Sequence, residues 1–181
     1  MGKIIVILFV FSVCSFSQVS AGFTLEMSGV NTDNYFYLSN AIPTRFGILL
    51  GYSPLEKLSA ELRMNYDYYP YEYRGVDYSV FVLYKFYPPF YVAVDFTHHS
   101  NEAIAKEGVP YAKANLMGGG LGIELSSVIS VEIIYDVALS KEIWKYARQD
   151  KFDLEGYQYW DVRTDRITGV AYLNLKFAWD F

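Results

Sequence analysis

The sequence predicts an all-β chain, an eight-stranded antiparallel transmembrane β-barrel, and three observations predict it. Aromatic residues make up 19% of the chain, with 18 tyrosines, and charged residues also make up 19%. Past residue 21 no apolar run approaches the roughly 20 residues that a membrane helix needs. The apolar residues instead alternate with polar ones in segments of about ten, as in strands with one face in lipid and the other in a lumen. These segments are joined by connections that alternate long and short, as they do when tight turns lie on one side of a membrane and loops on the other.

The 181 residues suffice for one domain. The chain opens with Met1-Gly2-Lys3, an uncharged apolar run from Ile4 to Phe16, and small residues at Val19 and Ala21. That is the pattern of a secretory signal peptide, residues 1–21, leaving a barrel domain of residues 22–181. The single cysteine, Cys14, is expected to leave with the leader. Phe11-Ser12-Val13 lacks the small residue wanted before a lipidated cysteine. A mature chain without thiols excludes disulfides and cysteine-based metal or redox chemistry. The net charge of −5 argues against a nucleic-acid partner.

In chain order, Phe23, Leu25 and Met27 alternate with Thr24, Glu26 and Ser28, a first strand ending near Val30-Asn31. Tyr35 to Leu38 has strand character, but Pro43 breaks the phase. Arg45 to Tyr52 recovers it, and Ser53-Pro54-Leu55-Glu56 reads as a turn. Leu58 to Tyr69 is the cleanest alternation, followed by a loop from Pro70 to Gly75. Val76 to Tyr87 repeats the pattern, with Phe81 and Leu83 as apolar exceptions on the polar face. Pro88-Pro89 turns the chain into Phe90 to Ser100, and a polar segment, Asn101 to Pro110, leads to a strand over Ala112 to Leu125. Ser126-Ser127 turns again, Ile129 to Leu139 alternates except at Ile134, and Lys141 to Arg166 reads as a long charged and aromatic loop. The last strand, Ile167 to Phe181, sets Leu173, Leu175, Phe177 and Trp179 against Tyr172, Asn174, Lys176 and Asp180.

Eight strands enclose a lumen that side chains fill, so a plugged barrel is expected and not a pore. The filling would be an ionic lattice of Glu26, Arg45, Glu61, Arg63, Asp67, Lys85, Asp95, Glu124, Glu132 and Lys176. An apolar-alternating final strand ending in Phe181 resembles the C-terminal signature of outer-membrane proteins. The competing fold, a soluble lipocalin-like barrel or β-sandwich, would turn the same apolar faces inward.

The chemical anomaly is Tyr91 to Ser100, YVAVDFTHHS. Val92, Val94 and Phe96 share a face with His98 and Ser100, a base and a nucleophile two positions apart on an apolar surface. Their strand ends at the external rim. The outward parity of the next strand, set by Met117, Leu121 and Ile123, carries up to Asn115 and Lys113. The faces match if His98 pairs with Asn115 and Ser100 with Lys113. Asn115 would then accept the second imidazole N–H of His98 as third member, with Glu107 or Glu102 as alternatives. Asn101 is the expected oxyanion donor, and Lys113 the group that would hold a lipid phosphate. The bland reading is that these residues mark where lipid gives way to water.

His98-His99-Ser100-Asn101 resembles the His-x-Ser-Asn tetrad of two families of outer-membrane lipid esterases. One is the lipid A 3-O-deacylase (PagL-type) family, an eight-stranded barrel; the other is outer-membrane phospholipase A, a larger calcium-dependent dimer. The resemblance implies His98 as base, Ser100 as nucleophile and Asn101 as oxyanion support. Glu102 stands where the deacylase usually has Ala, and Ala112 where its acid would fall. The tetrad lies on strand five and not on the penultimate strand. An asparagine third member is similar to the phospholipase.

The expected function is therefore a serine esterase acting on lipid A or a phospholipid of the outer membrane, with outer-leaflet lipid or lipopolysaccharide as partner. The alternative is a non-enzymatic small barrel with partner-binding external loops. The expected state is a monomer or homodimer. No cofactor and no metal are expected; calcium enters only through the phospholipase resemblance. Asp95 and His99, on the lumen face, are expected to share a structural hydrogen bond. Gly118-Gly119-Gly120 is expected to serve close packing or bending. Trp144, Tyr146, Tyr157, Tyr159 and Trp160 would either shape an acyl or sugar groove or pack the last loop onto the rim.

Overall fold

The computed structural model describes residues 18–32, 36–38, 45–69, 73–102, 113–139, 143–152 and 158–181. The strands are β1 (Gln18–Thr32), β2 (Phe36–Leu38), β3 (Arg45–Leu55), β4 (Leu58–Tyr69), β5 (Tyr73–Tyr87), β6 (Phe90–Glu102), β7 (Lys113–Glu124), β8 (Ile129–Ala138), β9 (Ile143–Phe152) and β10 (Gln158–Asp180). Eight of them, all but β2 and β9, form an antiparallel barrel in the order β1-β3-β4-β5-β6-β7-β8-β10, which closes by pairing β10 with β1. The closing ladder runs from Ser20↔Asp180 to Thr32↔Ile167. Of the expected leader, positions up to 17 lie outside the described residues, while Gln18 to Ala21 already belong to β1.

Three boundaries differ from the sequence reading, and one stretch read as having strand character is a strand. Ser53-Pro54 does not turn the chain. Strand β3 continues to Leu55 through a register shift, as a proline without an N–H forces on a ladder, and the turn is Glu56-Lys57. β4 and β5 run on until Tyr69 pairs with Tyr73, so Tyr73 to Gly75, expected in the loop, belong to β5; residues 70–72 lie outside the described residues. Phe36–Leu38 adds a short strand along β1. Most of the expected loop from Lys141 to Arg166 is a hairpin in which β9 pairs with Gln158 to Arg166. That half of β10 continues past the last residue paired to β1, reaching roughly 30 Å further at about 3.4 Å per residue.

The alternation resolves as lipid outside and polar lumen inside. Phe46, Ile48, Leu50, Leu62, Val80, Val94, Leu121 and Ile133 are among the large apolar side chains exposed on the outer wall. A soluble protein does not expose so continuous an apolar belt. The lipocalin-like alternative is thereby overturned, because its apolar faces would have lined a cavity.

Inside, the Arg63 guanidinium donates to Glu61 Oε2 (2.8 Å from Nε, 2.5 Å from Nη2) and to Glu132 (2.6 and 2.9 Å). Lys176 reaches the same two carboxylates at 2.8 and 3.1 Å. The Tyr91 hydroxyl and the Asn174 amide also donate to Glu132, each at 2.7 Å. Arg45 bridges Glu26, at 2.9 Å, and Asp77. Lys85 and Glu124 form a half-exposed pair of 2.7 Å at the short-turn end. Of the expected lattice, the Asp67 side chain lies outside the described residues. Phe81, Leu83 and Ile134, exceptions to the alternation, turn inward with Tyr91, Ala93, Leu116, Val170 and Tyr172 as a small apolar core beside the charged groups, the Arg63 guanidinium lying 3.8 Å over the Phe81 ring. Burying charges is tolerable here because Arg45, Arg63 and Lys176 each meet two carboxylates.

The glycines of β7 are explained by packing. A Cβ on Gly118 or Gly120 would lie 2.3 or 1.9 Å from a backbone oxygen of β8. One on Gly119 would lie 2.6 Å from the Ala93 carbonyl of β6. The three residues therefore let β7 sit tightly between both neighbours.

Candidate functional site

The outward faces of β6 and β7 bring the sequence-predicted residues together at the end that carries the longer connections. Across the tight turn at residues 125–128 and the Pro88-Pro89 turn, the hairpin registers leave little freedom. β6 pairs with β7 as His98↔Asn115 and Ser100↔Lys113. On the other side Tyr78 of β5 lies opposite His98, and Val76 opposite Ser100. Among the residues whose side chains are described, His98, Ser100, Lys113, Asn115 and, on β1, Asn31 are by parity the polar positions on the outer wall. The other outward positions in that set are apolar, aromatic, alanine or glycine.

Within this cluster the His98 Nδ1 lies 2.7 Å from Asn115 Oδ1. An amide oxygen only accepts, so this contact requires the Nδ1–H tautomer, with His98 donating. The Nε2 then carries a lone pair. Asn115 is held in turn by its backbone, whose carbonyl accepts from Leu139 N at 2.8 Å. Among the described residues no hydrogen bond joins His98 to the Ser100 hydroxyl, although the two side chains leave one face two positions apart. Lys113 is exposed, whereas His98, Ser100 and Asn115 are half-buried. The Asn101 and Glu102 side chains and all of Glu107 lie outside the described residues.

On the opposite face of β6, His99 does not meet Asp95. Four residues along a strand separate two side chains by about 13 Å, too far for a hydrogen bond. His99 instead contacts the Asp77 carboxylate directly across the β5–β6 hairpin. Asp95 Oδ2 accepts from the Thr97 hydroxyl at 3.0 Å. Asp77 escaped notice in the sequence because only its own strand was read. The turn at Pro88-Pro89 fixes a register that sets it opposite His99, and that count was the available signal. Tyr78, beside His98, was readable in the same way. No group of three or more histidine, cysteine or carboxylate side chains suited to a metal occurs among the described residues. Trp144 and Tyr146 belong to β9, and Tyr159 and Trp160 to β10; their side chains and all of Tyr157 lie outside the described residues.

No protein-family model matches the chain, and no curated protein sequence does. Solved structures do resemble it. Neisserial surface protein A superposes with a TM-score of 0.51 at 10% identity, over 91% of this chain and 97% of that one. The N-terminal β-barrel domain of Pseudomonas aeruginosa OprF gives 0.49 at 15% identity, over 90% and 99%. The attachment invasion locus protein Ail of Yersinia pestis gives 0.41 at 13% identity, over 90% and 97%. At such identity the likeness is one of fold. Together with the apolar outer wall, it makes the chain an eight-stranded barrel of the bacterial outer-membrane type, with its short turns and both ends of the described chain at one rim.

Proposed function

We propose that this barrel resides in the outer membrane and acts at its outer rim, where His98 and Ser100 hydrolyse an acyl ester of lipid A or of a phospholipid. The observation that carries this reading is the 2.7 Å contact of His98 Nδ1 with Asn115, made on a wall that otherwise faces lipid. A histidine locked in that tautomer has its Nε2 ready to accept a proton. Ser100 Oγ attacks the ester carbonyl carbon while Nε2 takes the hydroxyl proton. The same proton passes to the departing alcohol oxygen as the C–O bond breaks, leaving an acyl-serine. Water, deprotonated by Nε2, then releases the fatty acid and restores the hydroxyl. Asn101 would supply the oxyanion donor and Lys113, opposite Ser100, would hold a phosphate. Asn115 is the third member, ahead of Glu102 and Glu107.

The test is release of fatty acid from lipopolysaccharide or phospholipid by the purified protein in detergent. Ser100→Ala should abolish release and leave the heat-modifiable gel migration of the barrel unchanged. Undiminished release by this variant overturns the mechanism.

The fold comparisons sit better with the second reading, a non-enzymatic surface barrel whose projecting β9–β10 hairpin meets a partner. Its supporting observations are the likeness to a protein described as a surface protein and the lack of a His98–Ser100 hydrogen bond among the described residues. A wild-type protein that releases no fatty acid from either lipid decides for it.

A further inference from the structure

We propose that His99 and Asp77, inside the barrel, are positioning residues for the His98–Asn115 pair outside it. In its activity arm the proposal rests on the esterase reading; in its structural arm it does not.

His99 lies between the two rim residues in sequence and points the opposite way, 5% exposed. Because side chains alternate across a strand, whatever fixes the inward direction of residue 99 also fixes the outward directions of 98 and 100. The fixing is extensive. The imidazole contacts Asp77 on β5, and Ala114 on the other side offers only a methyl group, so the ring leans toward the carboxylate. Asp77 also holds Arg45 of β3, which lies 4.3 Å over the Tyr172 ring of β10 and 2.9 Å from Glu26 of β1. The Asn65 amide of β4 donates to Glu26 at 3.2 Å and its oxygen accepts from Thr24 at 2.9 Å. One buried chain of polar contacts thus ties the middle of the rim tetrad to five other strands. Outside, among the described residues, the contact that holds His98 is the one to Asn115. Buried networks of this kind specify one arrangement when their members are satisfied.

The experiment reads the His98 ring directly. The chain contains two histidines, so His99→Gln leaves His98 as the single imidazole in a nitrogen-15 spectrum of the protein in micelles. Wild type should show His98 as the Nδ1–H tautomer alone. His99→Gln and Asp77→Ala should show a mixture of tautomers, and should lower kcat for ester hydrolysis about tenfold with KM unchanged. Asp77→Asn keeps an acceptor for His99 and should restore the wild-type spectrum; it and His99→Gln carry the test if Asp77→Ala does not fold. Folded His99→Gln with the His98 signals of wild type overturns the proposal. If wild type hydrolyses no lipid, the esterase reading fails, and the tautomer spectra still decide this one.

Discussion

On the lumen side of the barrel wall, Arg45, Arg63 and Lys176 each hold two carboxylates, and Arg63 joins β4 to β8 across the barrel. On the lipid side of the same wall, among the described residues, His98 and Asn115 meet at 2.7 Å in the group they form with Ser100 and Lys113. The inner ion pairs have a structural explanation, because removing one partner strands the other's charge in a medium that solvates it poorly. The outer four have none of that kind, since a leucine or valine at each position would suit the lipid as well. Polar residues where stability does not ask for them are the ones to assign to function.

The comparison breaks first, and hardest, at the lattice. Arg63→Ala leaves Glu61 and Glu132 sharing Lys176 alone, and should cost about 3–5 kcal/mol in denaturant unfolding from vesicles. A loss below about 1 kcal/mol would mean that the lumen charges do not hold the wall together. Next comes the outer wall away from the rim. Ile133, 67% exposed on β8, should tolerate leucine, but Ile133→Arg should cost about 2–4 kcal/mol in the same measurement. A neutral result there would remove the residue from the bilayer. Smallest is the rim itself. Asn115→Leu should change stability by no more than about 0.5 kcal/mol, while abolishing the single-tautomer signal of His98. A large destabilisation would return the cluster to the structural side of the comparison.

How far the sequence could be read follows from the same two faces. Alternation is strong wherever one face must meet lipid, so β4 was legible to the residue and β5 to β8 nearly so. The Ile143–Phe152 strand escaped because it stands clear of the bilayer. With no apolar face imposed on it, Trp144-Lys145-Tyr146-Ala147-Arg148 looks like a mixed loop. Phe81, Leu83 and Ile134 looked like faults in the pattern, since a lumen is expected to be polar; they belong to a buried apolar cluster inside it. At the site, parity and register placed Asn115 beside His98. The Asp95–His99 pairing failed because sharing a face was taken for nearness, whereas in a sheet the near neighbour is across the ladder and not along the strand.

The seam between β1 and β10 has a consequence for how the molecule comes into being. Ser20 pairs with Asp180, and Phe181 N donates to Val19 O, so the stretches that must meet are among the first and last described. The other barrel ladders form between barrel strands that are neighbours in sequence, with only β2 between β1 and β3 and β9 between β8 and β10. This one waits for the final residues and closes the largest loop the chain contains, the slowest kind of contact to make. Until then two open strand edges face each other unpaired, a hazard for aggregation that vanishes at closure. A chain stopped short of β10 would have no way to finish, and should be recovered as unfolded or degraded protein and not as a smaller barrel.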